Sequence, residues 1–171
     1  MSADEFMKQQ YLTLRDEIRA SKARIFVLLV LGTLLIPLVG FLAKEFAATY
    51  ASASLPFIIL ILMICFLMEQ NCIIRAGKYL KEHVEPHIEG ITTWETWLES
   101  NNRLRDTDRY FFGSFILVFL VFYAIGAGTA VESLAAQWPE YYKYSGFAYG
   151  MGAIWFLAVL IRHWHSCTTT K

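Results

Sequence analysis

At 171 residues and 56% hydrophobic, with 15 basic and 15 acidic residues and no net charge, the chain lacks the cationic excess that nucleic-acid partners require. Its charge is instead segregated, which excludes an ordinary water-soluble surface: Ile25 to Ala43, Phe46 to Met68, Tyr110 to Val131 and Tyr144 to Ile161 carry no Asp, Glu, Lys or Arg. A bilayer core takes about 20 predominantly apolar helical residues to cross, and about 18 without charge marks a candidate span. The pattern therefore predicts an all-α polytopic membrane protein with four transmembrane helices and a helical platform on one side.

In chain order, residues 1–24 are expected to form a helix that feeds straight into the first span, 25–43. Ser2 and Glu5 have capping-box spacing. Met7, Tyr11, Leu14 and Ile18 then make one narrow apolar seam, with Lys8, Arg15, Asp16 and Arg19 off it. Such a seam needs a partner, whether the rest of this chain, a second copy or lipid headgroups. The apolar run from Ile25 follows a long charged segment and exceeds the ~7–15 residues of a signal peptide's core, so it is expected to be a retained span.

The second span, 55–74, is short. Ser54, Leu55 and Pro56 suit a helix cap and first turn, where proline is tolerated. From Leu55 only 14 residues precede Glu69, which draws Glu69, Gln70 and Asn71 toward the inner leaflet. A start at Phe46 would leave Glu69 at the interface and put Pro56 in mid-helix. An ionisable group within a bilayer is costly and becomes a candidate functional residue. Asn71, Arg75 and Tyr79 recur at i+4 on one face beyond it. Arg109, Arg162 and His163 are the partners expected for Glu69 from neighbouring spans.

Residues 75–109 are expected to make a helix, an elbow and a second helix. Glu85–Pro86 and Gly90 form the elbow, because a residue before proline disfavours the helical conformation. Thr92 and Glu95 cap a new helix bearing Trp94, Trp97 and Leu98, and Asp106 or Thr107 caps the third span, 110–131. The fourth span, 144–162, precedes a tail, 163–171. Small residues recur in the last two spans: Gly126, Gly128 and Ala130, then Gly146, Gly150 and Gly152. They permit close helix packing in lipid, within one subunit or between subunits of a homo-oligomer.

Basic residues set orientation, since they stay on the cytoplasmic side. Residues 1–24, 75–109 and the tail with Arg162 just before it hold 13 of the 15 Lys and Arg, and the two short loops keep only Lys44 and Lys143. Both termini and the platform are thus expected in the cytoplasm. Cys65, Cys72 and Cys167 show no paired spacing and read as free thiols. His83 with His87, and His163, His165 and Cys167, lack a four-ligand metal spacing, so no metal and no cofactor are expected. No nucleophile elbow, phosphate-binding glycine loop or HExxH motif is present.

One segment resembles a known pattern. Arg75, Gly77, Tyr79 and Leu80, then Val84, Glu85 and Pro86, then Gly90, Trp94 and Glu95 are similar to R-I-G-x-Y-[IL], [IV]-E-P and a glycine followed by W-E in small bacterial multi-pass membrane proteins. Ala76 departs from the branched residue usual there. The N-terminal YLTLRDEI is also similar to their leaders. The resemblance implies a bacterial inner-membrane protein and supplies no activity. In size and span number the chain also resembles four-span accessory proteins of bacterial antiviral systems, including RNA-targeting CRISPR loci. Three functions stay open. One is a non-enzymatic oligomeric effector or accessory that permeabilises or signals at the membrane. Another is an adaptor recruiting a soluble cytoplasmic partner through residues 85–109. The third is an enzyme acting on lipid through Glu69, His83 or His87.

Overall fold

The computed structural model describes residues 3–45, 49–87, 97 and 100–168, and every regular element among them is helical. Four helices follow one another: α1 Ala3–Glu45, α2 Thr49–Tyr79, α3 Asn102–Gln137 and α4 Tyr142–Thr168. Each contains a stretch long and apolar enough to cross a membrane. Only 11–39% of the residues in those apolar stretches are buried, so most of their apolar side chains point outward. Phe26, Leu34, Phe41, Phe111, Leu117, Phe147 and Ile154 are all more than 60% exposed. Helices apolar around their whole circumference suit a lipid environment rather than water.

The helices run past the apolar stretches that predict them. α1 is one uninterrupted helix of 43 residues, so the charged segment and the first apolar run share a single rod. Pro37 lies inside it. α3 begins at Asn102, ahead of the Asp106 or Thr107 start expected from capping. The largest difference is at α2, which starts at Thr49, between the two starts weighed from sequence. Pro56 therefore occupies the eighth helical position rather than the first turn, and it is fully buried. A proline inside a helix frees the carbonyl four residues earlier, and side-chain hydroxyls re-satisfy such groups in apolar surroundings. Here that carbonyl belongs to Ser52, and the carbonyls on either side of it accept from hydroxyls: Ser54 Oγ donates to Ala51 at 3.0 Å, and Tyr149 Oη donates to Ala53 at 2.8 Å.

By compactness the chain divides into two units, one of Met1–Leu31 and Met63–Leu117, the other of Gly32–Leu62 and Val118–Lys171. In the first, the seam of α1 finds its partner within the chain. Tyr11, Leu14 and Ile18 pack against Ile73, Ala76, Leu80 and Val84, and Leu80 is wholly buried. As α1 numbers fall, the matching α2 numbers rise, so the two segments run antiparallel. Phe66 stacks on Phe112 with ring centroids 5.7 Å apart.

The second unit is held by small residues and tyrosines. A Cβ on Gly32 would lie 2.6 Å from the Phe119 ring, and one on Gly152 would lie 2.9 Å from Leu60 Cδ1. Both positions thus require the absence of a side chain for the helices to meet this closely. Tyr123 Oη donates to the Tyr149 carbonyl at 2.6 Å, joining α3 to α4. Trp138–Pro139–Glu140–Tyr141 turns the chain between them, closed by the Tyr141 amide donating to the Trp138 carbonyl at 3.0 Å. Proline at the second position of such a turn supplies its φ in advance.

Candidate functional site at the basic ends of the first two spans

Glu69 is the polar residue around which the first unit is organised. Its carboxylate is gripped by Arg24, a partner that the sequence expectation of Arg109, Arg162 or His163 does not include. Arg24 Nε donates to Oε1 at 2.7 Å and Nη2 to Oε2 at 2.9 Å. This two-pronged geometry matches the planar guanidinium to the carboxylate and is stronger than a single contact. Nη2 also donates to the Oγ of Ser21, which is almost fully buried, at 2.9 Å. Arg162 is exposed, and the side chains of Arg109 and His163 lie outside the described residues. The signal that finds Arg24 is depth. It is the last charged residue before the first apolar run, as Glu69 is the first after the second. Antiparallel spans bring those two positions to one level.

Along the same face, Gln10 Nε2 donates to Tyr79 Oη at 2.8 Å, and the Tyr79 ring stacks on His83 at 4.8 Å and 6°. Tyr79 thus ties α2 to α1 about four turns of α1 away from Arg24, since Gln10 lies 14 residues before it. Asn71 and Arg75, singled out with it, are exposed. The structure does not bring either to the Arg24–Glu69 pair through any contact among the described residues.

The elbow takes a form that the proline rule does not give. α2 ends at Tyr79 in one turn of π-helix, Leu80–Val84, followed by a turn of 3-10 helix, Glu85–His87. Glu85 keeps right-handed helical angles (φ −61°, ψ −35°), and its amide donates to the Leu80 carbonyl five residues back. The chain therefore accommodates Pro86 by widening the helix before it rather than by extending Glu85. Turns of π-helix are frequent at functional sites. Glu85 is buried and Pro86 exposed. Gly90, Trp94 and Glu95 lie outside the described residues. Trp97 is helical and 41% exposed, with its carbonyl accepting from Ser100 Oγ at 2.8 Å.

The glycines divide by use. A Cβ on Gly126 would meet Leu55 and Ile59 at 3.4 Å, and Gly152 meets Leu60, so both pack within the chain. Gly146 has only Val131 Cγ2 at 3.7 Å, and Gly150 has nothing within 4 Å. Among the described residues no three His, Cys, Asp or Glu side chains gather as a metal site. No protein-family model, curated protein or solved structure matches this chain.

Proposed function

We propose that the chain is a non-enzymatic multi-pass protein of a bacterial inner membrane, with both termini cytoplasmic. In this reading it self-associates and acts as an effector or accessory that signals at or permeabilises the bilayer, in a setting such as antiviral defence. The observation that carries it is the division of the glycines. Gly32, Gly126 and Gly152 are filled by the chain's own side chains, whereas Gly150 faces outward with no neighbour, and Ala148 beside it is exposed. A glycine in a span has a use where another backbone approaches, and here that backbone is a second copy. Replacing Gly146 and Gly150 with isoleucine is expected to lower the mass of the detergent-solubilised particle while leaving insertion intact. An unchanged mass removes self-association through this face.

Orientation has its own test. In a chain whose native cysteines are replaced by serine, a cysteine at Asn101 should react with an impermeant reagent only after the membrane is opened. Labelling from the outer face of intact cells reverses the topology.

The adaptor reading is favoured by a different feature. Phe6 and Leu12, each 53% exposed, lie on the part of α1 that precedes its apolar run. Such side chains offer a soluble partner apolar contacts beside a packed helical pair. Against the lipid-modifying enzyme stands the engagement of both Glu69 oxygens by Arg24. A carboxylate so held is a poor general base.

A further inference from the structure

We propose that one water molecule is bound inside the second unit at Ser52, bridging the hydroxyl and the carbonyl of that residue where Pro56 interrupts the backbone ladder of α2. The carbonyl is the first observation. In a helix it accepts from the amide four residues on, and a proline there has none to give. The hydroxyls on either side of it go elsewhere, Ser54 to the Ala51 carbonyl and Tyr149 to the Ala53 carbonyl. The side chain is a second, independent observation. Ser52 is only 9% exposed, and its hydroxyl meets no hydrogen-bond partner among the described residues. A buried residue that leaves both a donor and an acceptor unmatched is costly, and native proteins satisfy such groups with protein or with ordered water.

The surroundings supply a third contact. Thr49 lies one turn earlier on the same side of α2 and is 3% exposed. Its Oγ1 accepts from Ser133 Oγ at 3.3 Å, a long contact for two hydroxyls, and keeps its own proton to donate. A water that accepts from Thr49 and Ser52 and donates to the Ser52 carbonyl makes three hydrogen bonds, the usual number for one buried in a protein. The hydroxyl and carbonyl oxygens of one residue stand within about 5 Å, which one water spans with two bonds of about 2.8 Å. The cluster selects water over a cation. Its oxygens are all neutral, Glu132 beside Ser133 is exposed, and an uncompensated buried ion costs far more than a dipole. The water thus stands in for the amide that proline lacks.

The first test is solid-state NMR on the full-length chain reconstituted in lipid, reading magnetisation transfer from water protons to labelled side chains. Transfer to Ser52 is expected to be several-fold faster than to Ile59, which is wholly buried two turns further along α2. The second is a cycle of thermal unfolding midpoints. Ser52→Ala should lower the midpoint by about 2–4 °C, because the water loses an anchor and the carbonyl its bridge. In a Pro56→Ala background residue 56 supplies the amide, so Ser52→Ala should be neutral or raise the midpoint. The space left by trimming Pro56 is common to both members of that comparison and cancels. A hydroxyl with no water beside it predicts the opposite sign, since removing an unmatched buried donor stabilises. Transfer to Ser52 as slow as to Ile59, a midpoint raised by Ser52→Ala in the native background, or an equal loss in both backgrounds overturns the proposal.

Discussion

Leu80→Ala is expected to be the most damaging single truncation in the first unit, lowering its stability by about 2–5 kcal/mol, the range for a leucine deleted from a packed core. The reason lies in which solvent competes for the side chain. Leu80 is wholly buried among Ile18, Ala76 and Val84, yet it sits beyond the second apolar run, among Arg75, Lys78, Lys81 and Glu82. Its alternative to burial is water, so truncation loses the full hydrophobic transfer term as well as leaving a cavity. Ile59 is equally buried, but it lies within the apolar stretch of α2. In the proposed membrane setting the alternative there is lipid, and truncation forfeits packing alone. Leu80 also opens the π-helical turn, and its carbonyl receives the Glu85 amide, so its loss is expected to loosen the elbow too. Amide hydrogen exchange checks this. Loss of ~2 kcal/mol raises the open population about thirty-fold. Amides 7–20 and 76–84 should exchange faster by at least that factor, while those of the apolar stretches stay protected. Leu80→Met, which conserves volume, should change little. Exchange unaltered in Leu80→Ala would mean that the seam does not hold α1 to α2.

What the sequence discloses here depends on which interactions leave a periodic trace. The four long apolar helices are legible because each carries an uncharged run of 18 residues or more, and such runs cannot hide. The seam of Tyr11, Leu14 and Ile18 is legible as a seam because a helix repeats every 3.6 residues. Its partner was not, since Ile73, Ala76, Leu80 and Val84 sit inside a stretch that reads as span, elbow and charge together. Pro56 misled in a simple way. Proline is best tolerated in a first helical turn, yet α2 begins seven residues before Pro56 and buries it fully, and no local signal marks that earlier start. At Pro86 the rule for the preceding residue points to an extended Glu85. A five-residue hydrogen bond instead keeps Glu85 helical, and no local signal announces a π turn. Nor does spacing reveal which glycine faces a neighbour: Gly150 and Gly152 are two residues apart, one facing outward and one packed on Leu60.

The site itself was half legible. Glu69 stood out because a carboxylate so close to an apolar run demands a partner. Cations bordering the third and fourth apolar runs suit that role by sequence, but antiparallel pairing of α1 with α2 puts Arg24 at the right level. Tyr79 shares a face with Asn71 and Arg75 by spacing, but its contact in the structure is a different one, the side-chain amide of Gln10. Consecutive helices joined by a short connection are neighbours by default. Depth matching between them is therefore the first test to apply to any charge at the end of a span.

Exchanging the charges of Arg24 and Glu69 should separate an electrostatic latch from a contact of convenience. In the proposed membrane setting, Arg24→Gln leaves the Glu69 carboxylate at the end of an apolar stretch without its countercharge, and a lone ion there is disfavoured. Glu69→Gln leaves the milder defect, because its amide oxygen still accepts from Arg24 and the arginine can extend toward headgroups. The expected order of thermal stability in detergent is therefore native, then Glu69→Gln, then Arg24→Gln. Arg24→Glu, which places two carboxylates together, falls lowest. Combining Arg24→Glu with Glu69→Arg should recover much of the loss, since the two-pronged geometry is available in either direction. Recovery will be incomplete, because Ser21 Oγ accepts from Arg24 Nη2 and a glutamate at 24 offers no such donor. Cross-linking with a short bifunctional reagent between cysteines placed at Gln10 and Tyr79, whose side chains meet between α1 and α2 at 2.8 Å, gives an independent readout of whether the two helices stay paired in each variant. If Arg24→Glu is as stable as the native chain, or if the swap recovers nothing, the pair does not hold the spans in register. The seam around Leu80 would then carry that role alone.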